Sequence, residues 1–125
     1  MPKFALDSLK VYSMSEDLAD LVWDAVSHWD PFAKSALGQQ IVRAADSVGT
    51  NIAEGYGRAS PADHKRFIRI ARGSLYETRH FLRRADKRCL LTREQKAPLR
   101  HLLKNLLPAL NGYLRSLGDE SHGAS

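Results

Sequence analysis

A chain of 125 residues with 43% hydrophobic side chains is long enough to bury one core and too short for two, so a single domain is expected. Its one cysteine, Cys89, excludes an internal disulfide and a cysteine-based metal cluster, and no apolar run reaches signal-peptide length or the roughly 18 residues of a membrane span. The expectation is a soluble cytoplasmic protein of net charge +5, with residues 1–12 a loose N-terminal arm, 13–118 the folded bundle and 119–125 a disordered tail.

The first helix takes its start signal from Ser13, with Glu16 three residues on as in a capping box, and Ser15 serves equally well. Leu18, Leu21, Val22, Ala25, Val26 and Trp29 mark one apolar face, while Asp17, Asp20 and Asp24 make the opposite face acidic. Trp23 falls off the apolar stripe. Pro31 disfavours helical geometry in the residue before it, so the helix stops by Asp30 and a short turn, PFAK, leads onward.

The second helix, Gln39 to Arg58, carries little charge. Leu37, Ile41, Ala44, Ala45, Val48 and Ile52 recur at steps of three and four, and Val42, Gly49, Ala53 and Tyr56 widen the stripe. Only Arg43, Asp46 and Glu54 are ionised before Arg58, and Ser47, Thr50 and Asn51 fill the remaining arc. Such a helix reads as buried on two sides, with Gly49, which costs about 1 kcal/mol against Ala, letting another backbone come close. Buried polar groups need partners, so Arg43, Ser47, Asn51 and Glu54 are expected to join a hydrogen-bonded network reaching Ser74 or Glu77, with Gly73 permitting the approach.

Ser60, Pro61 and Asp63 start the third helix as cap, first helical residue and first-turn acid. Phe67, Ile70, Ala71, Ser74, Leu75, Thr78, Phe81, Leu82 and Ala85 define its expected buried side, until Cys89 and Leu90 close it. Thr92 and Gln95 repeat the capping pattern for a leucine-rich fourth helix, whose broad apolar face extends from Leu99 to Leu117, with Gly118 as its stop. Pro98 and Pro108 sit inside it, and a bend or break is expected near one of them.

Four amphipathic helices with short connections, and no stretch of two-residue alternation, give an all-α fold: an antiparallel up-down four-helix bundle. The run QQIVRAADSVGTNIAEGYGR followed by SPADHKRFIRIARGSLYET resembles the signature of the four-helix bundle proteins encoded in intervening sequences of bacterial large-subunit ribosomal RNA. The NIAEG at Asn51–Gly55 and the GSLYE at Gly73–Glu77 carry most of that resemblance, which covers roughly residues 8–117. It implies a bundle that assembles as a closed ring, a homopentamer, without established catalytic activity. Some relatives are accessory proteins of diversity-generating retroelements, where a basic barrel associates with a reverse transcriptase and nucleic acid. Independently, the off-stripe Trp23 and the uncharged outer arc of the second helix call for burial that one bundle does not supply, and Trp23, Gly49 and Gly73 are the candidate interface residues.

Charge is spread unevenly along the chain. Residues 1–57 hold four Lys/Arg against eight Asp/Glu, and residues 58–104 hold fourteen against four. On the third helix Lys65, Arg69, Arg72, Arg79, Arg83 and Lys87 form one stripe opposite Phe67 and Phe81, running roughly 33 Å at 1.5 Å per residue. Arg93, Lys96, Arg100 and Lys104 extend it onto the fourth helix. Three readings account for it: a solvated face, a surface that meets the acidic first helix of another subunit, or a site for RNA, DNA or a nucleic-acid enzyme. No helix-turn-helix, zinc-finger or RNA-recognition signature points to base reading. A di-metal bundle needs two Glu-x-x-His pairs, and only Glu77 and His80 match, with His80 about 140° from the core centre. No enzyme, metal or cofactor is expected.

Overall fold

A computed structural model of the chain describes residues 5–118; residues 1–4 and the tail at 119–125 lie outside the described residues. A 3-10 turn at Ala5–Ser8 leads into α1 (Lys10–Ser27). One α-turn, α2 (Pro31–Ala33), passes through a π-helical segment (Lys34–Gly38) into α3 (Gln39–Tyr56) without leaving helical geometry. Then come α4 (Pro61–Lys87) and α5 (Arg93–Ser116). The described residues contain helices and no strand.

Consecutive long helices pack side by side, and α5 closes the ring of neighbours against α1, so α3 and α5 stand diagonally across the bundle. The cross-helix contacts run in opposite directions along each pair. Val26 faces Gly38 while Ser15 faces Gly49, and Gly55 meets His64 while Ser47 meets Ser74. Asp86 meets Lys96 while Arg72 meets Asn111, so the bundle is antiparallel throughout. Leu18, Ile41, Ile52, Ile68, Leu106 and Leu110 fill the fully buried centre.

Several boundaries differ from the sequence reading, each for a tertiary reason. α1 starts at Lys10, ahead of Ser13, after Leu9, which makes no side-chain cap. Val11 and Ser15 are buried in register with Leu18 and Val22, and the Ser15 hydroxyl donates to the Tyr12 carbonyl at 2.6 Å, so packing extends the helix past its capping signal. At the next connection the PFAK segment is helix rather than turn: Asp30 caps Ala33 N at 2.9 Å and Pro31 occupies the first helical position. Pro31 therefore ends one helix and begins another.

The buried side of α4 is rotated from expectation. Ile68, Ala71, Leu75, Thr78, Leu82 and Ala85 alternate steps of three and four and point inward, whereas Ile70 is 42% exposed and Phe67 and Phe81 are half-buried. α5 runs unbroken through Pro98 and Pro108. Both prolines are exposed, as are Glu94 and Lys104 four residues earlier, so water can satisfy the carbonyls the prolines cannot bond, while Leu99, Leu102, Leu106 and Leu110 hold the opposite side in the core. In the single chain α3 is buried on one broad side only, because Gln39, Arg43, Asp46, Thr50 and Glu54 are exposed.

Candidate functional site

The α4–α5 connection positions the most distinctive surface of the chain. α4 ends in a Schellman arrangement: Cys89 takes φ 60, its N–H donates to Asp86 O at 3.1 Å, and Leu90 N–H donates to Ala85 O at 2.9 Å. Three residues later Thr92 and Gln95 cap α5 reciprocally, at 2.9 and 3.2 Å. Two fixed helix ends this close set the register of the helices that leave them.

That register places Arg79 and Arg83 of α4 opposite Lys96 and Arg100 of α5, around a cleft of about 180 Å³. Leu82, Leu91, Leu99 and Leu103 also line it, with Leu82 and Leu99 buried, and Asp86 is the sole acid on its wall. Asp86 Oδ1 receives Lys96 Nζ at 2.8 Å. That hydrogen bond holds the Asp86 carboxyl below the usual carboxylate range, helped by the charges of Lys96, Arg100 and Lys87 and opposed by desolvation. Like charges one turn apart on a helix repel by about 0.2–0.5 kcal/mol, and both walls carry such a pair.

The other residues of the basic stripe divide. Arg69, Lys87, Arg93 and Lys104 are exposed. Lys65 is not: at 6% exposure it lies on the inward register three residues before Ile68. Arg72 is half-buried and donates to Asn111 Oδ1 at 3.0 Å, tying α4 to α5 rather than facing outward. Both departures follow from the rotation of α4.

The expected polar network is smaller than its sequence version. Ser47 Oγ and Ser74 Oγ lie 2.8 Å apart, Asn51 Nδ2 donates to Ser47 O at 2.8 Å and to its Oγ at 3.0 Å, and Thr78 Oγ1 donates to Ser74 O at 2.8 Å. Arg43, Glu54 and Glu77 stay exposed outside it, and Glu54 instead pairs with Arg58 at 3.3 Å, because no neighbour covers their faces within one chain. Gly49 is used internally, since a Cβ there would stand 3.0 Å from Ser15 Oγ. Gly73, expected to admit a close approach from α3, faces open space with nothing within 4 Å. Trp23 and Phe32 are 66% and 81% exposed, and Trp23 borders a shallow hollow with Val42 and Gln39.

One cluster escaped the sequence reading altogether. Tyr113 OH and His64 Nε2 share a hydrogen at 3.0 Å, with Tyr56 edge-on to His64 at 6.5 Å. Burial lowers the His64 pKa, and burial followed by the Tyr56 charge raises that of Tyr113. Residues 49 apart in sequence leave no local signal of such a contact. His80 and Glu77 are exposed, and among the described residues no three His, Cys, Asp or Glu side chains gather as a metal site.

Residues 7–112 match the family model described as 23S rRNA-intervening sequence protein. The crystal structure of a protein of unknown function from the S23 ribosomal protein family of Bacteroides thetaiotaomicron is similar in fold, with a TM-score of 0.73 at 23% identity over 84% of this chain and 95% of that one. Among curated proteins none matches the chain.

Proposed function

The chain belongs to the 23S rRNA-intervening sequence protein family, and from that premise we propose a non-enzymatic, self-associating helical bundle that binds nucleic acid through its α4–α5 face without reading sequence. The carrying observation is the convergence of Arg79, Arg83, Lys96 and Arg100 on one cleft with Asp86 as the lone acid of its lining. Guanidinium forks pair with phosphate oxygens in a bidentate way, and exposed Lys87, Arg93 and Lys104 extend the footprint.

Self-association is proposed as a closed ring, five subunits on the family resemblance, with Trp23 and Phe32 as the apolar area to be covered. A ring repeats the basic face and turns a weak attraction into useful avidity. A cytoplasmic setting suits this reading, and among the described residues no helix is long and apolar enough to cross a membrane. Fluorescence anisotropy with duplex DNA and RNA of shuffled sequence tests the function. The expected result is equal affinity across sequences and a linear fall of log affinity with log salt, at about −0.9 per phosphate contact on duplex DNA. Salt-independent binding contradicts the electrostatic account.

A second reading rests on α1. Asp17, Asp20 and Asp24 are all exposed beside a hollow that Leu21 shares with Pro98, His101 and Leu102 of α5. In that reading the acidic face of one subunit meets the basic face of the next, and the protein is a scaffold with no nucleic-acid role.

A further inference from the structure

The cationic surface is concave where it is most charged, and concavity bears on which phosphate it takes. Arg79 and Arg83 stand one turn apart on α4, and Lys96 and Arg100 one turn apart on α5. Only Asp86 offsets these four cations, and it is committed to Lys96 at 2.8 Å. Arg79 and Arg83 make no hydrogen bond or ion pair among the described residues. The volume of about 180 Å³ is below the roughly 300 Å³ at which sites for drug-sized ligands begin, so the cleft itself holds a phosphate group, with the rest of a ligand lying across its open mouth, and no duplex. A leucine floor under a rim of one sign lowers the local dielectric and focuses the field into the cleft.

We propose that this cleft is a site for the terminal phosphate of a nucleoside monophosphate group, the monoester held by Arg79, Arg83 and Arg100 and the face of its base resting against the half-buried Leu91 and Leu103. The proposal rests on the nucleic-acid reading for one of its two sources, the 5′-phosphorylated end of a strand; the other source is a free mononucleotide. A monoester phosphate carries about −1.5 to −2 at neutral pH, against one charge for an internal diester, so a surplus of cations in one small cavity favours the terminal group. A flat basic strip would show no such preference.

The test titrates the full chain with two 3′-labelled single-stranded oligonucleotides of one sequence, one ending in 5′-phosphate and one in 5′-hydroxyl. AMP, adenosine and inorganic phosphate serve as competitors. The phosphorylated strand is expected to bind about fivefold tighter or more, through additional charge-assisted contacts. AMP should displace it better than adenosine or inorganic phosphate. Arg83→Gln with Arg100→Gln should erase the preference, while Lys10→Gln with Lys34→Gln, which removes the same charge from exposed positions off the α4–α5 face, should keep it. Equal affinity for the two strands overturns the inference and leaves non-specific binding standing. AMP binding without binding of either strand overturns the nucleic-acid reading and assigns the free mononucleotide. Inorganic phosphate competing as well as AMP overturns the role of the leucine floor, and a preference that survives the cleft variant overturns the location.

Discussion

Asp86 Oδ1 and Lys96 Nζ meet at 2.8 Å across the α4–α5 cleft, a carboxylate set among a surplus of arginines. Asp86→Asn removes that carboxylate and leaves the cations unopposed. Nucleic-acid affinity at low salt should rise, with a steeper salt slope, while the denaturation midpoint moves little, since an isolated, partly solvated surface pair contributes little to stability. The depressed Asp86 pKa fixes the sign of the pH effect. The small contribution of the pair is present above the ordinary value of 3.8 and is lost as pH falls through the lower folded value. An affinity that drops in Asp86→Asn would mean that Lys96 needs its partner to be in place.

The serine contact between α3 and α4 should be measurable as a coupling. Ser74→Ala leaves the half-buried Ser47 hydroxyl without its 2.8 Å partner and should cost about 1 kcal/mol. The double change with Ser47→Ala should cost less than the sum of the two single changes, read by urea denaturation. Glu54→Ala, by contrast, should stay within about 0.5 kcal/mol, because Glu54 is exposed. A loss several times larger at Glu54 would show that another subunit covers it.

Two glycines should respond in opposite directions. At Gly55 a new Cβ would stand 3.0 Å from the His64 carbonyl oxygen and 3.0 Å from Phe67 Cβ, and backbone cannot step aside cheaply, so Gly55→Ala should destabilise by about 1–3 kcal/mol. At Gly73 nothing lies within 4 Å, and Gly73→Ala should stabilise the isolated bundle by about 0.5–1 kcal/mol through helix propensity. If Gly73→Ala instead weakens the assembly, α4 packs closely against a second subunit there.

His64 should make stability fall on mild acidification. Burial lowers its folded pKa below the ordinary 6.5, so beneath that value the unfolded chain binds a proton that the folded chain refuses. Stability is complete above about pH 6.5 and declines as pH falls from there toward the depressed folded value. His64→Gln should flatten that part of the profile, measured as melting temperature against pH. A profile unchanged by the substitution would mean that the decline comes from other groups.

What could be read without coordinates follows the range of the interaction that decides it. Ser60 with Pro61 and Thr92 with Gln95 are local caps, and both stand where their spacing places them. Asp30 with Pro31 is the same signal, and reading Pro31 only as a stop concealed it. The burial of Lys65 was missed because the aromatic residues Phe67 and Phe81 set the wrong centre for α4, although the alternating steps from Ile68 to Ala85 mark the true one. The cleft itself was half legible: the cations were visible on each helix, but which of them face one another depends on the register between α4 and α5. The Tyr113–His64 contact depends on that same packing and had no sequence signal.

The charge reversal Arg79→Glu with Arg83→Glu and Arg100→Glu, followed by light scattering and nucleic-acid titration on one sample, tests the central claim most directly. Arg72 is spared because its bond to Asn111 is structural. The account predicts an oligomer of unchanged mass, five times the 14.0 kDa chain on the ring proposal, that no longer binds nucleic acid. Dissociation of the oligomer would place the basic face in a subunit interface with Asp17, Asp20 and Asp24, and retained binding by an intact oligomer would remove the α4–α5 face from the interaction altogether.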